Sequence, residues 1–189
     1  IAYMDAQLGK VLDALEYSGV ADRTIITFVG DHGYHIGEHS LWGKTSNFEL
    51  DARVPLFIAV PGSKNAGRRT EALVEMLDFF PTLTELCGMA KQDGVEGFSF
   101  APLLGNPGQS WKKGVFSVVT RRGGLGRSVR TEQFTYIEWP DGSTQLYDYT
   151  RDPKEYVNLA GNPAHVKTAA ELKQVLKNGW QAARPTAME

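Results

Sequence analysis

The chain has 189 residues, 42% of them hydrophobic and 22% charged, with a formal net charge of −2. That is the makeup of an ordinary globular protein long enough to bury a sizeable core. The charge gives no footprint for nucleic acid, and the basic residues that do group, Lys64, Arg68, Arg69 and the Arg121-Arg122 pair, read as solvated loops. No stretch reaches the roughly 18 apolar residues of a membrane span. The amino end lacks the basic start and apolar core of a signal peptide, and the single Cys87 excludes an internal disulfide.

Residues 1–18 place Met4, Leu8, Val11, Leu12 and Leu15 at helical spacing, with Asp5, Lys10, Asp13 and Glu16 elsewhere and Gly19 as the stop. The uncharged β-branched and aromatic run Ile25-Ile26-Thr27-Phe28-Val29 reads as a strand of an open α/β sheet, covered on both faces. A helix feeding a strand asks for an earlier strand, so the chain reads as beginning inside a domain. Ligands in open α/β sheets bind past the carboxyl ends of strands. Asp31 and His32 stand there, between Gly30 and Gly33, which are expected to turn the backbone. The plainer alternative for Asp-His-Gly is a turn.

Three of the four histidines, His32, His35 and His39, fall in the following loop with Glu38 and Lys44. Val54 to Val60 reads as a second buried strand, and 71–87 as a helix that Pro81 kinks and Gly88 ends. The Gly- and Pro-rich stretch 88–115 reads as a surface connection anchored by Leu103-Leu104. The strands expected beyond it, at 115–120, 128–131, 134–139 and 144–149 with a turn at Asp141-Gly142, form an antiparallel meander. A helix over 164–180 covers one face. The division is 1–105, part of an α/β domain, and 106–189, a small antiparallel subdomain.

Asp31 offers an anionic oxygen to a cation, and His32 a ring nitrogen to a cation or a substrate oxygen. Lys44 can neutralise a bound anion, and metal plus Lys suits charge developing on sulfate or phosphate oxygens. Glu38 reads as a loop brace, Trp42 and Phe48 as packing anchors, and Arg53 as a partner of Glu49 or Asp51. Asp148, Asp152 and Glu155 read as turn and cap chemistry rather than a second cation site. Cys87 reads as a small core residue at a helix end, and His165 has no assigned chemistry.

Taken together, Asp31-His32-Gly33, Gly37-Glu38-His39, Trp42-Gly43-Lys44, Phe48-Glu49 and Arg53-Val54-Pro55-Leu56 resemble the second signature region of the type I sulfatases. The Ser46-Asn47-Phe48 stretch is similar to the iduronate-2-sulfatase group in particular. Gly97-Phe98-Ser99, Pro102-Leu103-Leu104, Arg130-Thr131, Leu146-Tyr147-Asp148, Asp152-Pro153-Lys154-Glu155 and Asn158-Leu159 extend the likeness from about residue 3 to about 176.

The resemblance implies an alkaline-phosphatase-like α/β sandwich domain, followed by a small antiparallel sheet with a C-terminal helix. It implies a calcium site to which Asp31 and His32 contribute. Because an imidazole is unusual around calcium, zinc or manganese is the alternative. It implies Lys44 as a catalytic, sulfate-contacting residue; from their place in the loop, His39 reads as a second catalytic candidate and His35 as a substrate contact, the alternative for both being histidines that hydrogen-bond the loop backbone. The activity implied is hydrolysis of a sulfate monoester, with a sulfated sugar as the partner molecule. The alternatives are a phosphatase, phosphodiesterase or phosphonate hydrolase of the superfamily, or a non-catalytic anion-binding fragment.

Sulfatases make formylglycine from a Cys-x-Pro/Ser-x-Arg motif. Cys87 is followed by Gly88, Met89, Ala90 and Lys91, which does not match. The expectation is therefore a C-terminal portion, inactive alone, whose nucleophile lies in an N-terminal half. That half or a second copy of the chain is the expected protein partner. Family membership implies a periplasmic or extracellular location in bacteria and a lysosomal one in animals.

Overall fold

The computed structural model describes residues 1–121 and 123–185. Arg122, half of the pair read above as a solvated loop, lies outside the described residues, as do positions 186–189 of the expected second subdomain. In chain order the elements are α1 (Ala2–Tyr17), β1 (Ile26–Val29), β2 (His35–Ile36), β3 (Trp42–Gly43), α2 (Glu49–Ala52), β4 (Leu56–Ala59), α3 (Phe79–Leu86) and α4 (Ala101–Gly105). Then follow β5 (Val115–Arg121), β6 (Gly124–Arg130), β7 (Phe134–Glu138), β8 (Thr144–Asp148) and α5 (Val166–Asn178). No helix among the described residues is long and apolar enough to cross a membrane.

The chain forms two compact units, residues 1–30 with 55–68, and residues 31–54 with 69–189. In the first, β1 and β4 pair antiparallel, with Phe28 opposite Phe57. Gly19, at φ +69, ends α1 as expected. The expectation that β1 and the 54–60 strand are covered on both faces is not met. Thr27 and Phe57 are exposed, and no residue of α1 is buried. The apolar pattern is real, but these residues contain nothing that covers the second face.

The second unit is organised by the meander, in order β5-β6-β7-β8, all antiparallel. Gly142, at φ +83, donates its N–H to Trp139 O in the expected turn. Strand alternation places Val129, Tyr136 and Leu146 on one face, where Leu172 of α5 completes a buried cluster with Ala169, Val175 and Leu176 beside it. Ile137 and Tyr147 point the other way, onto Phe48. The sheet thus has two covered faces, and the loop bearing the histidines forms the second cover.

Two expectations for the middle of the chain are corrected. The helix at 71–87 begins only with a 3₁₀ turn at Met76–Asp78. There Glu75 and Asp78 cap each other in a reciprocal box, and Pro81 sits in the first turn of α3, where no backbone donor is needed. The connection at 88–115 is not confined to the surface: Phe100, Leu103, Trp111 and Lys112 are buried. Lys112 Nζ lies 2.5 Å from Glu75 and 2.7 Å from Asp78, a fully desolvated triad. Cys87 is exposed rather than a core residue.

Candidate active-site loop

The loop 31–54 departs repeatedly from ordinary backbone. Gly37 and Gly43 take φ values of +126° and +115°, where glycine costs nothing. His39, Ser40 and Thr45 also adopt positive φ. Each such non-glycine residue costs about 1 to 3 kcal/mol and persists only when its surroundings impose it. Lys44 stands between two of these positions. Gly33 is required for a different reason than the sharp turn expected of it: a Cβ there would lie 1.6 Å from Leu50 O. Neither Gly30 nor Gly33 has positive φ.

The first turn of this loop gathers three of the expected residues. Asp31 Oδ1 accepts the His32 N–H at 3.0 Å, which lowers the pKa of that exposed carboxylate. His32 Nδ1 is 2.8 Å from Gly33 O and donates to it, so the lone pair remains on Nε2. That atom faces Asp31 Oδ2 at 3.2 Å and accepts from Lys44 Nζ at 2.7 Å. Two electron-rich atoms converge on one point, with an ammonium bound to the imidazole nitrogen. Such a point favours positive charge and can share a divalent cation. Among the described residues no third His, Cys, Asp or Glu joins them, so the chain supplies two donors of a larger coordination shell.

The other candidates lie elsewhere in the loop. His35 is fully buried, with Nε2 at 2.9 Å from Ser46 Oγ and 3.5 Å from Asp51 Oδ2. Asp51 in turn accepts the Ser46 N–H. The His39 ring stacks on Phe48 at 3.9 Å, and its Nε2 donates to the carbonyls of Lys154 and Glu155 at 3.0 and 3.1 Å. Glu38 accepts the Ile36 N–H, the bracing role expected, and this bond lowers its pKa. Phe48 is buried as expected, whereas Trp42 is 80% exposed and anchors nothing. Arg53 pairs with Tyr149 and Glu71; Glu49 instead pairs with Arg130 at 3.0 Å.

The acidic residues of the C-terminal subdomain behave as turn chemistry in two of three cases. Burial pushes Asp148 up, but the Thr150 hydroxyl, Gln133 amide and Thr150 N–H outweigh it and lower its pKa. Asp152 accepts the Val157 N–H. Glu155 differs, being 1% exposed with its carboxylate turned onto α2, where Oε2 accepts the Glu49 N–H at 2.8 Å. Burial raises its pKa to about 7 against the opposing Glu49 N–H. Beside α2 a cleft of about 360 Å³ opens between Glu38, Leu50, Arg53, Tyr149, Lys154 and Tyr156.

Residues 1–89 match the family described as Sulfatase. A sulfatase from Formosa agariphila is 34% identical over 93% of this chain and 34% of its own length. The chain belongs to the sulfatase family. Mouse iduronate 2-sulfatase is 37% identical over 60% of this chain and 25% of its own length. Among solved structures, BT4656 in complex with its substrate D-glucosamine-2-N,6-O-disulfate superposes with a TM-score of 0.86 at 29% identity, covering 94% of this chain and 38% of that one. The phosphonate monoester hydrolase of Agrobacterium radiobacter gives 0.84 at 28% identity, covering 96% and 40%. The fold is thus the alkaline-phosphatase-like one of the sulfatases, as the resemblance implied. The chain spans about a third of the length of the curated relatives it matches.

Proposed function

We propose that this sulfatase chain carries the cation- and sulfate-binding loop of an enzyme that hydrolyses sulfate monoesters of sugars, of the iduronate-2-sulfatase kind. The observation that carries the reading is that two groups meet at His32 Nε2, Asp31 Oδ2 at 3.2 Å and Lys44 Nζ at 2.7 Å. Lys44 places its ammonium against a sulfate oxygen, and Asp31 and His32 donate to a divalent cation, calcium or alternatively zinc or manganese. When bound, that cation adds positive charge beside the same oxygens. His35 and His39, expected from sequence to touch substrate, act in this reading as supports that hold the loop. The donor count of two and the mismatch at Cys87 support dependence on carboxylates and a formylglycine from another part of the enzyme. The chain alone is therefore inactive.

The occupant of the exposed faces of α1 and β4 is, in this proposal, the portion that the longer relatives carry, or else a second copy. The whole enzyme is exported or lysosomal. Titration with Ca²⁺ or Mn²⁺ and with inorganic sulfate, followed by the His32 and Lys44 resonances, tests the reading. Saturable shifts at both residues, lost in Lys44→Ala for sulfate and in Asp31→Asn for the cation, are expected. Titration that leaves both residues unmoved would overturn it. The phosphonate hydrolase neighbour favours a second reading, an enzyme for phosphorus esters. Tighter binding of methylphosphonate than of sulfate would favour that alternative.

A further inference from the structure

We propose that Glu155 is a positioning residue: from the C-terminal subdomain it caps the first N–H of α2 and thereby sets the placement of Gly33, His32 and Lys44. The proposal rests on the reading of Asp31, His32 and Lys44 as the binding site. Its evidence is independent of that reading.

Helix α2 has only four residues, and its N-cap Phe48 makes no side-chain cap. The open donor at Glu49 is met by Glu155 Oε2 at 2.8 Å, from 106 positions away. Glu155 itself sits at φ +57, a conformation that favours glycine or asparagine. A glutamate held there, 1% exposed, carries a backbone cost that its surroundings must impose. The same turn of backbone receives His39 Nε2 on two carbonyls, and the His39 ring lies flat on Phe48. Both contacts fasten the loop to one place.

From α2 the constraint passes to the site through contacts that leave little play. Gly33 N–H donates to Asp51 O at 2.9 Å, and Leu50 O fills the space where a Cβ of Gly33 would stand. Asp51 Oδ2 accepts the Ser46 N–H at 2.8 Å, two residues beyond Lys44. The groups facing the Glu155 carboxyl are the Glu49 carboxylate on α2, Arg130 on β6, the Thr135 hydroxyl on β7 and the Tyr147 phenol on β8, while Asp152 O accepts the Glu155 N–H and His39 Nε2 donates to Glu155 O. Of these, Arg130 is already engaged by Glu49. Thr135 Oγ1 and Glu155 Oε1 are both buried without completing a hydrogen bond. The bond of complete geometry is the one from the α2 donor, with the Thr135 hydroxyl standing beside the carboxyl.

The test is amide hydrogen exchange on the whole chain for wild type, Glu155→Ala and Glu155→Gln. Glu155→Ala is expected to speed exchange at Glu49 and Gly33 by about tenfold or more, with the β6–β8 amides within about twofold. Glu155→Gln, which keeps an acceptor, is expected to restore most of the protection. A second measurement stands if Glu155→Ala does not fold. Corrected for the intrinsic rate, protection of Glu49 in wild type falls as pH rises from 5 to 8, roughly, because opening frees a carboxyl that burial holds protonated, and it stays flat in Glu155→Gln. Unchanged Glu49 and Gly33 exchange in Glu155→Ala, equal loosening of the sheet, or the same pH profile in Glu155→Gln overturns the proposal. Mn²⁺ broadening of His32 in wild type reports separately on the binding-site reading. Its absence would remove that reading while the exchange data still judge Glu155.

Discussion

The two compact units answer the same kind of sequence signal in opposite ways. In the unit built on the meander, Val129, Ile137 and Leu146 are fully buried, and α5 lays its apolar stripe against the sheet. In the unit built on α1, β1 and β4, a weaker apolar stripe on α1 buries nothing, and Val11 and Phe57 remain more than half exposed. Periodicity therefore identifies the face that would be buried, and burial follows only where the chain also supplies the cover.

The largest effect that sharpens this contrast comes from Lys112. Its ammonium neutralises Glu75 and Asp78 in a closed site, so Lys112→Ala leaves two buried carboxylates unpaired. The expected loss is about 3 to 5 kcal/mol in urea unfolding of the C-terminal unit. Lys112→Met, which also removes the charge, should be no better. A loss below about 1 kcal/mol would mean that water reaches this triad and that the unit is less closed than described.

Next comes a paired truncation. Leu146→Ala, in the filled core between β8 and α5, should cost about 2 to 5 kcal/mol. Leu12→Ala on α1 should change stability by no more than about 0.5 kcal/mol. Equal costs would break the comparison outright, since they would place α1 in a packed interface of the isolated chain.

How far the sequence could be read follows the same division between local and distant causes. The meander was legible because alternation and the Asp141-Gly142 turn are local signals. Helix α5 was legible from its spacing, and the Asp31, His32 and Lys44 grouping from the density of chemistry-bearing residues in one loop. Three features were hidden: the burial of His35, the exposure of Trp42, and the Glu155 to Glu49 bond across 106 positions. None has a local signature, because each is decided by which distant residue arrives opposite. The same holds for α3, whose buried side is Asp78, Thr82 and Thr84 while Phe80 faces outward. A polar residue on the inner face is invisible to hydrophobic spacing until Lys112 supplies its partner. The capping pair Glu75 and Asp78 is the one local cue that could have moved the helix start from 71 to 76.

Glu155 makes the C-terminal unit sensitive to pH. Folding raises its pKa from 4.5 to about 7, chiefly by burial, so the folded state holds the proton more tightly than the unfolded chain. Its contribution is fully present below about pH 4.5 and is lost as pH rises to about 7, a span worth roughly 3 kcal/mol. Urea midpoints of wild type should fall across that window relative to Glu155→Gln. A difference that stays constant with pH would show a carboxyl reached by water.

Gly33→Ala should cost about 1 to 3 kcal/mol, because the new methyl must displace the Leu50 carbonyl. Its exchange signature should be confined to residues 31–53. An effect spread evenly into β5–β8 would mean that the loop is part of the core rather than a cover laid over it.

The smallest change in stability belongs to the residue expected to matter most for ligand. Lys44 is exposed, and its bond to His32 lies at the surface, so Lys44→Ala should alter unfolding by less than about 0.5 kcal/mol. Removing the ammonium leaves His32 Nε2 without its donor and still facing Asp31 Oδ2. Cation affinity at the pair should therefore hold or rise while sulfate affinity drops. A fall in both together would mean that Lys44 holds the loop's shape instead of meeting an anion, and would move the strained backbone of Thr45 beside it from the service of binding to that of folding.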